Sequence, residues 1–427
     1  MKLLKSALTS AVCALALFGA GPALAQDGQV IRWMHLEANQ TYLDAWKDLA
    51  ARYEEQNPGV RIEFEFLEDS AFKAKLPTLL GSPNAPSMFY SWGGGVLKAQ
   101  AETGTIRDVT EALDANGGEW RNSINAGAIE AMTFDGKVWA VPFKQDVIAF
   151  FYNRALFEQA GVDAEAIETW DDFLDAVRRL KEAGITPIAG GGGSKWPLHF
   201  YWSYLAMREA GPEGFAAAKA GAGFDSEPFL RASQHLADLA ALEPFQPGFL
   251  NTSWTDALGL FADGRVAIAL GFPSTLKPES QARYASDGVG LSLETAGRFA
   301  FPVVEGAPGV VTDILGGVNG WVVTRDAPEA TEDFLRYLTS LEGQIYQAER
   351  QNMLPVTTGA EIGKTDESEL LALEQMKGST WHQNFLDQDL GPNVGGVINE
   401  VSVGLAGGLI TPEEAVRQIQ EAWEFEQ

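Results

Sequence analysis

Cysteine is all but missing. The 427 residues include one, Cys13, and it falls in an N-terminal stretch that reads as a cleavable leader. Lys2 and Lys5 give that stretch a positive start, residues 7–18 are mostly apolar, and Ala23-Leu24-Ala25 is a small-residue cleavage site. Val12 stands before Cys13 where a lipoprotein signal would carry Gly or Ala. From residue 26 onward there is then no disulfide and no thiol chemistry. Histidine is scarce too: His35, His199, His235 and His382 are scattered, with no spacing that suits a metal, and no cofactor is expected. Positive charge is in deficit. Lys and Arg number 31 against 58 acids, a net charge of -27, and without Lys2 and Lys5 the basic count falls to 29. Nucleic acid and anionic membrane surfaces would repel such a chain, so neither is expected as a partner. No apolar run beyond the leader reaches transmembrane length. There is no GxSxG elbow, phosphate loop or HExxH helix. The leader and these absences point to an exported, acidic, soluble chain.

What is present is apolar and aromatic. Hydrophobic residues make up 46% and aromatics 11%, enough for large cores. The length exceeds one ordinary core, so two lobes are expected. The organising stretch is 141–161, VPFKQDVIAFFYNRALFEQAG. Residues 147–152 form a near-continuous apolar run, which reads as one buried strand. Asn153 ends it and a short helix runs to Gly161. Lys144, Gln145 and Asp146 lead into that strand, an unusual place for charge unless it has a task.

Earlier in the chain, periodicity predicts a strand over 30–34, a helix over 41–56 and an alternating strand over 60–66 (VRIEFEF). A helix over 70–80 and a strand over 87–92, ending in SWGGG, follow. This β-α-β-α-β order implies a parallel sheet with right-handed crossovers. Ligands of such sheets bind past the carboxyl ends of the strands. Here those ends are His35-Leu36-Glu37, Glu68-Asp69 and Trp92-Gly93-Gly94-Gly95. Later, Thr169 and Asp172 open a helix that Gly184 stops. A strand over 185–189 leads to four glycines and Trp196. Helices over 199–210, 227–242 and 254–261 precede a strand over 266–270 and Gly271-Phe272-Pro273. Residues 314–323, ILGGVNGWVV, read as a buried strand, 327–339 as a helix, and Thr411-Pro412-Glu413-Glu414 as a strong helix start.

Several of these blocks resemble, in the right order, those of the family 1 extracellular solute-binding proteins of ABC sugar transporters, the maltose-binding-protein-like group. The segment ending in Tyr152-Asn153 is one. FADGRVAIALGFPS (261–274), GGVNGWVVTRDAPEATEDFLRYLTS and the closing TPEEAVRQIQEAW are others. SWGGG and the tail from LDQDLGPNVGG look most like raffinose-type and other oligosaccharide binders. The resemblance implies an α/β, periplasmic-binding-protein-like fold: two α/β lobes with mainly parallel sheets, joined by a three-segment hinge near 137–142, 304–315 and 339–351. One lobe would be 26–139 plus 314–340, the other 140–313 plus 341–427. It further implies a monomeric, non-enzymatic component of an ABC importer that carries a small carbohydrate to a membrane permease. A glycoside hydrolase needs only two carboxylates about 5–10 Å apart, so a secreted carbohydrate-active enzyme is the second reading, and a sensory co-receptor the third.

A sugar offers flat C–H faces to aromatic rings and hydroxyls to carboxylates, amides and imidazoles. Candidates are therefore Trp92 with Gly93, Trp196, Trp254 and Phe272 for stacking. Core packing is the alternative for each Trp, most of all for Trp254, since Trp254, Leu258 and Phe261 fit one helix stripe. His35, Glu37, Glu68, Gln145, Asp146, Asp313, Gly317, Asn319 and His382 are the polar and backbone candidates. Glu37, Glu68 and Asp69 could equally cap the helices that follow them, and for Asp69 capping is the better reading.

Overall fold

The computed structural model describes residues 28–351, 353–364 and 366–426. The leader expected over 1–25 lies outside the described residues. The first part builds as its periodicity dictates. β1 (Gln29–His35), α1 (Gln40–Gln56), β2 (Val60–Phe66), α2 (Asp69–Leu80), β3 (Met88–Trp92) and α3 (Gly95–Glu102) follow in turn. Asn39 caps α1 by accepting from the Thr41 N–H, and α1 buries Trp46, Leu49, Ala50 and Tyr53, one helical stripe. β1 pairs in parallel with both β2 and β3, as β-α-β connections require.

The chain then changes lobe. β4 (Val141–Val147) joins the first sheet and β5 (Ala149–Asn153) joins another, with Ile148 between them. The sequence predicted one strand over 147–152 and a crossing at 137–142. The crossing instead falls inside the apolar run: Val141 and Phe143 pack in the first core, Ile148 and Phe150 in the second. Both sides of the junction are buried, so hydrophobic pattern carries no mark of the break.

The second lobe holds α4 (Trp170–Glu182), β6 (Thr186–Ile188), α5 (Trp196–Ala217), α6 (Trp254–Ala262), β7 (Val266–Gly271), α7 (Pro278–Tyr284) and β8 (Ala296–Phe299). α4 opens on the reciprocal Thr169–Asp172 capping box. α5 is broken at Gly211, φ +60°. Its sheet runs β8-β5-β7-β6. β9 (Asp313–Val323) then returns, eleven residues and all buried. After it come α8 (Ala330–Leu338), α9 (Leu341–Arg350), β10 (Leu354–Pro355), α10 (Glu367–Lys377), β11 (Trp381–Asn384), α11 (Leu386–Asp389), α12 (Pro392–Ala406) and α13 (Pro412–Glu426). Thr411 and Glu414 cap α13 reciprocally.

β9 serves both lobes. Its start pairs in parallel with β11, its middle antiparallel with β4 and its end antiparallel with β3. The large sheet runs β10-β4-β9-β3-β1-β2, with β11 beside β9. Because the crossing strands enter antiparallel, both sheets are mixed. Two cores result. In the first, Trp321 meets Trp33 edge-on at 5.0 Å and stacks on Phe143 at 4.6 Å. In the second, Phe301 stacks on Trp170 and Tyr204 at 5.4 and 4.5 Å. A fully buried Phe contributes roughly 1.5–3 kcal/mol, so each lobe has its own means of holding together. α9 belongs with the first core. The Trp46 indole N–H donates to Gln347 Oε1 (3.2 Å) and the Gln351 amide donates to the Tyr42 carbonyl (2.9 Å). The sequence resemblance puts 341–427 in the second lobe; α9 instead packs on the first.

Candidate functional site

The floor of the site is set by strand register. Asn319 on β9 lies opposite Trp92 on β3 and opposite Lys144 on β4. Side chains two apart share a face, so Tyr90 joins Trp92, and Asp146 joins Lys144. Leu36 and Glu37 past β1, and Asp69 at the start of α2, extend this first-lobe side. The facing wall comes from the second lobe. Trp196 opens α5, Trp254 opens α6 and Phe272 follows β7. Their ring centroids lie 5.3 Å (Trp196–Trp254), 6.1 Å (Trp196–Phe272) and 6.5 Å (Trp254–Phe272) apart. Phe200 and Phe385 back Phe272 at 5.8 and 6.2 Å. Trp254 is held by its own backbone, since its N–H donates to Ser194 Oγ (2.9 Å).

Between the walls lies a cavity of 420 Å³. A second compartment of 290 Å³ continues it towards α7, lined there by Tyr42, Glu279, Arg283 and Tyr284. Glu37, Tyr90, Lys144, Asp146 and Phe272 border both. Together they fall within the roughly 300–1,000 Å³ of small-molecule sites.

The charges are partly matched. Lys144 Nζ lies 3.4 Å from Asp146 Oδ2. Burial works against the lysine's charge, but Asp146, with Tyr90 and Glu37, outweighs it and keeps Lys144 above the ordinary lysine range. Burial pushes the Glu37 carboxyl up; the Asn39 N–H (2.6 Å), Lys144 and Arg283 offset only part of this. Lys73 Nζ pairs with Asp69 at 3.0 Å. In the second lobe, Asp387 sits 3.2 Å from His199 Nε2 and accepts from Asn399 Nδ2 (3.2 Å). Burial would raise the Asp387 carboxyl, yet His199, Lys73 and Asn399 hold it below the usual range. His199 Nδ1 meets Ser203 Oγ at 2.9 Å. Ser, His and Asp in line have the composition of a hydrolase triad. Ser203 is fully buried within α5, out of reach of any substrate carbonyl, so the trio serves to fix Asp387.

Of the residues singled out from sequence, Glu37, Trp92, Asp146, Trp196, Trp254, Phe272 and Asn319 line this cleft. The others do not. His35 is buried beneath it, its ring 5.6 Å from Trp46, and its Nδ1 accepts from the Glu37 N–H (3.1 Å). Glu68 is exposed and accepts from the Ala71 N–H (3.3 Å), which caps α2. Asp69, read as the cap, is the one that faces the cleft. Gly93 donates its N–H to the Val318 carbonyl (3.0 Å). Gln145 and His382 line a separate cavity of 650 Å³. The pleat of β4 sends Gln145 away from Lys144 and Asp146, and its amide donates to the Pro355 carbonyl (3.1 Å). Asp313 is buried and accepts from Thr380 Oγ1 (2.8 Å) and the Val310 N–H (2.9 Å). Gly317 is a packing position: a Cβ there would lie 2.7 Å from the Phe385 ring. The glycines after Trp92 meet the other lobe. A Cβ on Gly94 would lie 2.6 Å from Asp389 Cα, and one on Gly95 would overlap the Gly391 backbone.

Residues 37–345 match the family described as bacterial extracellular solute-binding protein. The chain belongs to this family. A xylose/arabinose-binding protein of Haloferax volcanii is 28% identical over 173 residues, 39% of this chain and 37% of that protein. The match thus spans little more than a third of that relative. A sn-glycerol-3-phosphate-binding periplasmic protein of Brucella abortus is 25% identical over 362 residues, 79% of this chain and 77% of that one. The solved structure of a chitin oligosaccharide binding protein superposes with a TM-score of 0.83 at 23% identity, covering 93% of this chain and 99% of that one. A solute-binding protein from Thermotoga lettingae bound with α-D-tagatose gives 0.73 at 20% identity, over 93% and 100%. These structural likenesses show the fold, two α/β lobes.

In this solute-binding protein the residues that sequence reasoning missed have recognisable signals. Tyr90 is two before Trp92 on one strand. Lys144 is two before Asp146. Asp387 and Gln388 follow β11 at its carboxyl end, as Glu37 follows β1. Lys73 lies one helical turn after Asp69. His199 and Phe385 had no local signal, because only tertiary packing brings them to the wall.

Among the described residues no helix is long and apolar enough to cross a membrane, and no His/Cys/Asp/Glu group is placed to hold a metal ion.

Proposed function

We propose that the cleft captures a small neutral carbohydrate, an oligosaccharide of a few units, and that the protein delivers it to the permease of an ABC importer. The carrying observation is the pair of opposed walls. Trp196, Trp254 and Phe272 on one lobe face Asn319, Lys144, Asp146 and Glu37 on the other. Flat rings suit the C–H faces of a sugar, and carboxylate, amide and ammonium groups suit its hydroxyls. The lining residues also carry more acids than bases: Glu37, Asp69, Asp146, Glu279 and Asp387 against Lys73, Lys144 and Arg283. An incoming phosphate would meet net negative charge, which weighs against a glycerophosphate cargo despite the Brucella relative. No catalysis is proposed for the buried Ser203. Export by the leader at 1–25, a periplasmic location and a monomer complete the reading. We place the lobes at 28–143 with 318–356, and 148–315 with 381–426, following the two cores.

A thermal-shift screen of the mature protein against mono-, di- and trisaccharides and sn-glycerol 3-phosphate tests this. A ligand at a hundredfold excess over its Kd adds about 2.7 kcal/mol, a shift of several degrees. A saccharide shift without product formation is expected, with none from the phosphate. A shift from the phosphate alone, or sugar turnover, would overturn it.

A further inference from the structure

Trp92 and Lys73 both line the cleft, and one face of the Trp92 ring is already covered. Lys73, one turn along α2 from Asp69, lays its ammonium 4.7 Å from the Trp92 ring centroid. The same ammonium is 3.0 Å from the Asp69 carboxylate, and the lysine side chain is 45% exposed. Trp92 itself is 7% exposed and is fixed edge-on against Tyr90 (5.2 Å) and Phe72 (6.1 Å). The ring is therefore immobile, while the group that covers it is the free end of a long chain. A sugar ring and the Lys73 ammonium compete for one aromatic face, and only Lys73 can leave.

We propose that Lys73 is an affinity-setting residue: it occupies the Trp92 stacking face in the empty protein, and the saccharide must displace it. This rests on the carbohydrate reading of the cleft. Displacement need not strand the charge. Asp69 stays within reach, and Lys73 already acts electrostatically on Asp387 across the cleft. The ammonium can move off the ring and remain between two carboxylates. The cost is the lost cation–π contact, which the ligand must repay before it gains anything from Trp92.

The test is calorimetric binding of maltose, xylobiose, raffinose and N,N′-diacetylchitobiose to the mature wild-type protein, Lys73→Ala and Lys73→Arg. Lys73 lies half-exposed on a helix, where Ala is well tolerated. For whichever probe binds wild type, Lys73→Ala is expected to bind about two- to fivefold tighter, the worth of an exposed cation–π contact. Lys73→Arg is expected to bind more weakly than wild type, because a guanidinium stacks better on an indole. In a Trp92→Leu background the gain from Lys73→Ala should vanish. Equal or weaker binding by Lys73→Ala would overturn the proposal and make Lys73 a direct ligand contact or a bystander. If no probe binds wild type, the carbohydrate reading itself falls, and the proposal with it.

Discussion

Two histidines are held neutral by their surroundings. Burial pushes His35 down to about 4, with repulsion from Lys47 adding to it, and burial alone does the same for His382. The His382 Nε2 has no hydrogen-bond partner among the described residues. An unfolded-chain histidine titrates near pH 6.5. Between about 6.5 and 4 the unfolded state therefore takes up protons that the folded state refuses, and stability falls as the pH drops through that window. Above it neither histidine contributes any slope. Each contributes up to ~1.4 kcal/mol per pH unit inside it. Melting temperature followed from pH 8 to 4 should decline below 6.5, and His382→Gln should remove about half of the histidine share. A variant profile that overlays wild type would mean that His382 titrates in the fold as it does in the unfolded chain.

α3 makes its point at the next scale. Gly94, just before it, touches the end of α11 in the other lobe, and a Cβ on Gly95, its first residue, would meet the Gly391 backbone in the α11–α12 connection. Backbone cannot yield as a side-chain tip would. Gly95→Ala should push the lobes apart beside Asp387 at a cost of ~1–3 kcal/mol of closed-state stability. Saccharide affinity measured by calorimetry should fall about tenfold or more; unchanged affinity would place this contact outside the closing motion. The same glycines show what the sequence could and could not convey. Their place at a strand end marks them as part of a ligand rim, but the space beside Gly94 and Gly95 is filled by the second lobe. Elements with a chemical start and stop are legible in the sequence: the Thr169–Asp172 and Thr411–Glu414 caps and the span of β2 fall where predicted, although Phe66 at the end of β2 is exposed. The strand-end rule brought Glu37, Trp92, Trp196 and Phe272 to one cleft. Two kinds of fact were hidden. Which face of β4 looks into the cleft depends on its pairing with β9, so Gln145 was chosen and Lys144 left out. The lobe change at Ile148 lies in a run that is buried on both sides, where pattern is silent.

At the scale of the whole molecule, the chain passes between the two cores near 143–148, 315–318 and beyond 356. The second-lobe rings and the first-lobe polar floor are rigid within their own lobes. Their separation is set by those crossings. A ligand that touches both walls gains its full contact only when the lobes approach, so it shifts the population towards the closed form by the difference in its affinity for the two. Small-angle scattering should therefore show a smaller radius of gyration when saturating saccharide is added. Trp254→Ala removes one ring from the far wall without touching the hinge. It should keep the ligand-free radius and reach the same compact state, but only at about tenfold higher saccharide concentration, the effect of losing ~1.4 kcal/mol. A ligand that binds wild type tightly and leaves the scattering unchanged would mean that the lobes are already closed or that the ligand sits on one wall alone. In that case Trp254→Ala reports on the wall: lost affinity would keep the aromatic wall in the site, and full affinity would move the site to the first lobe.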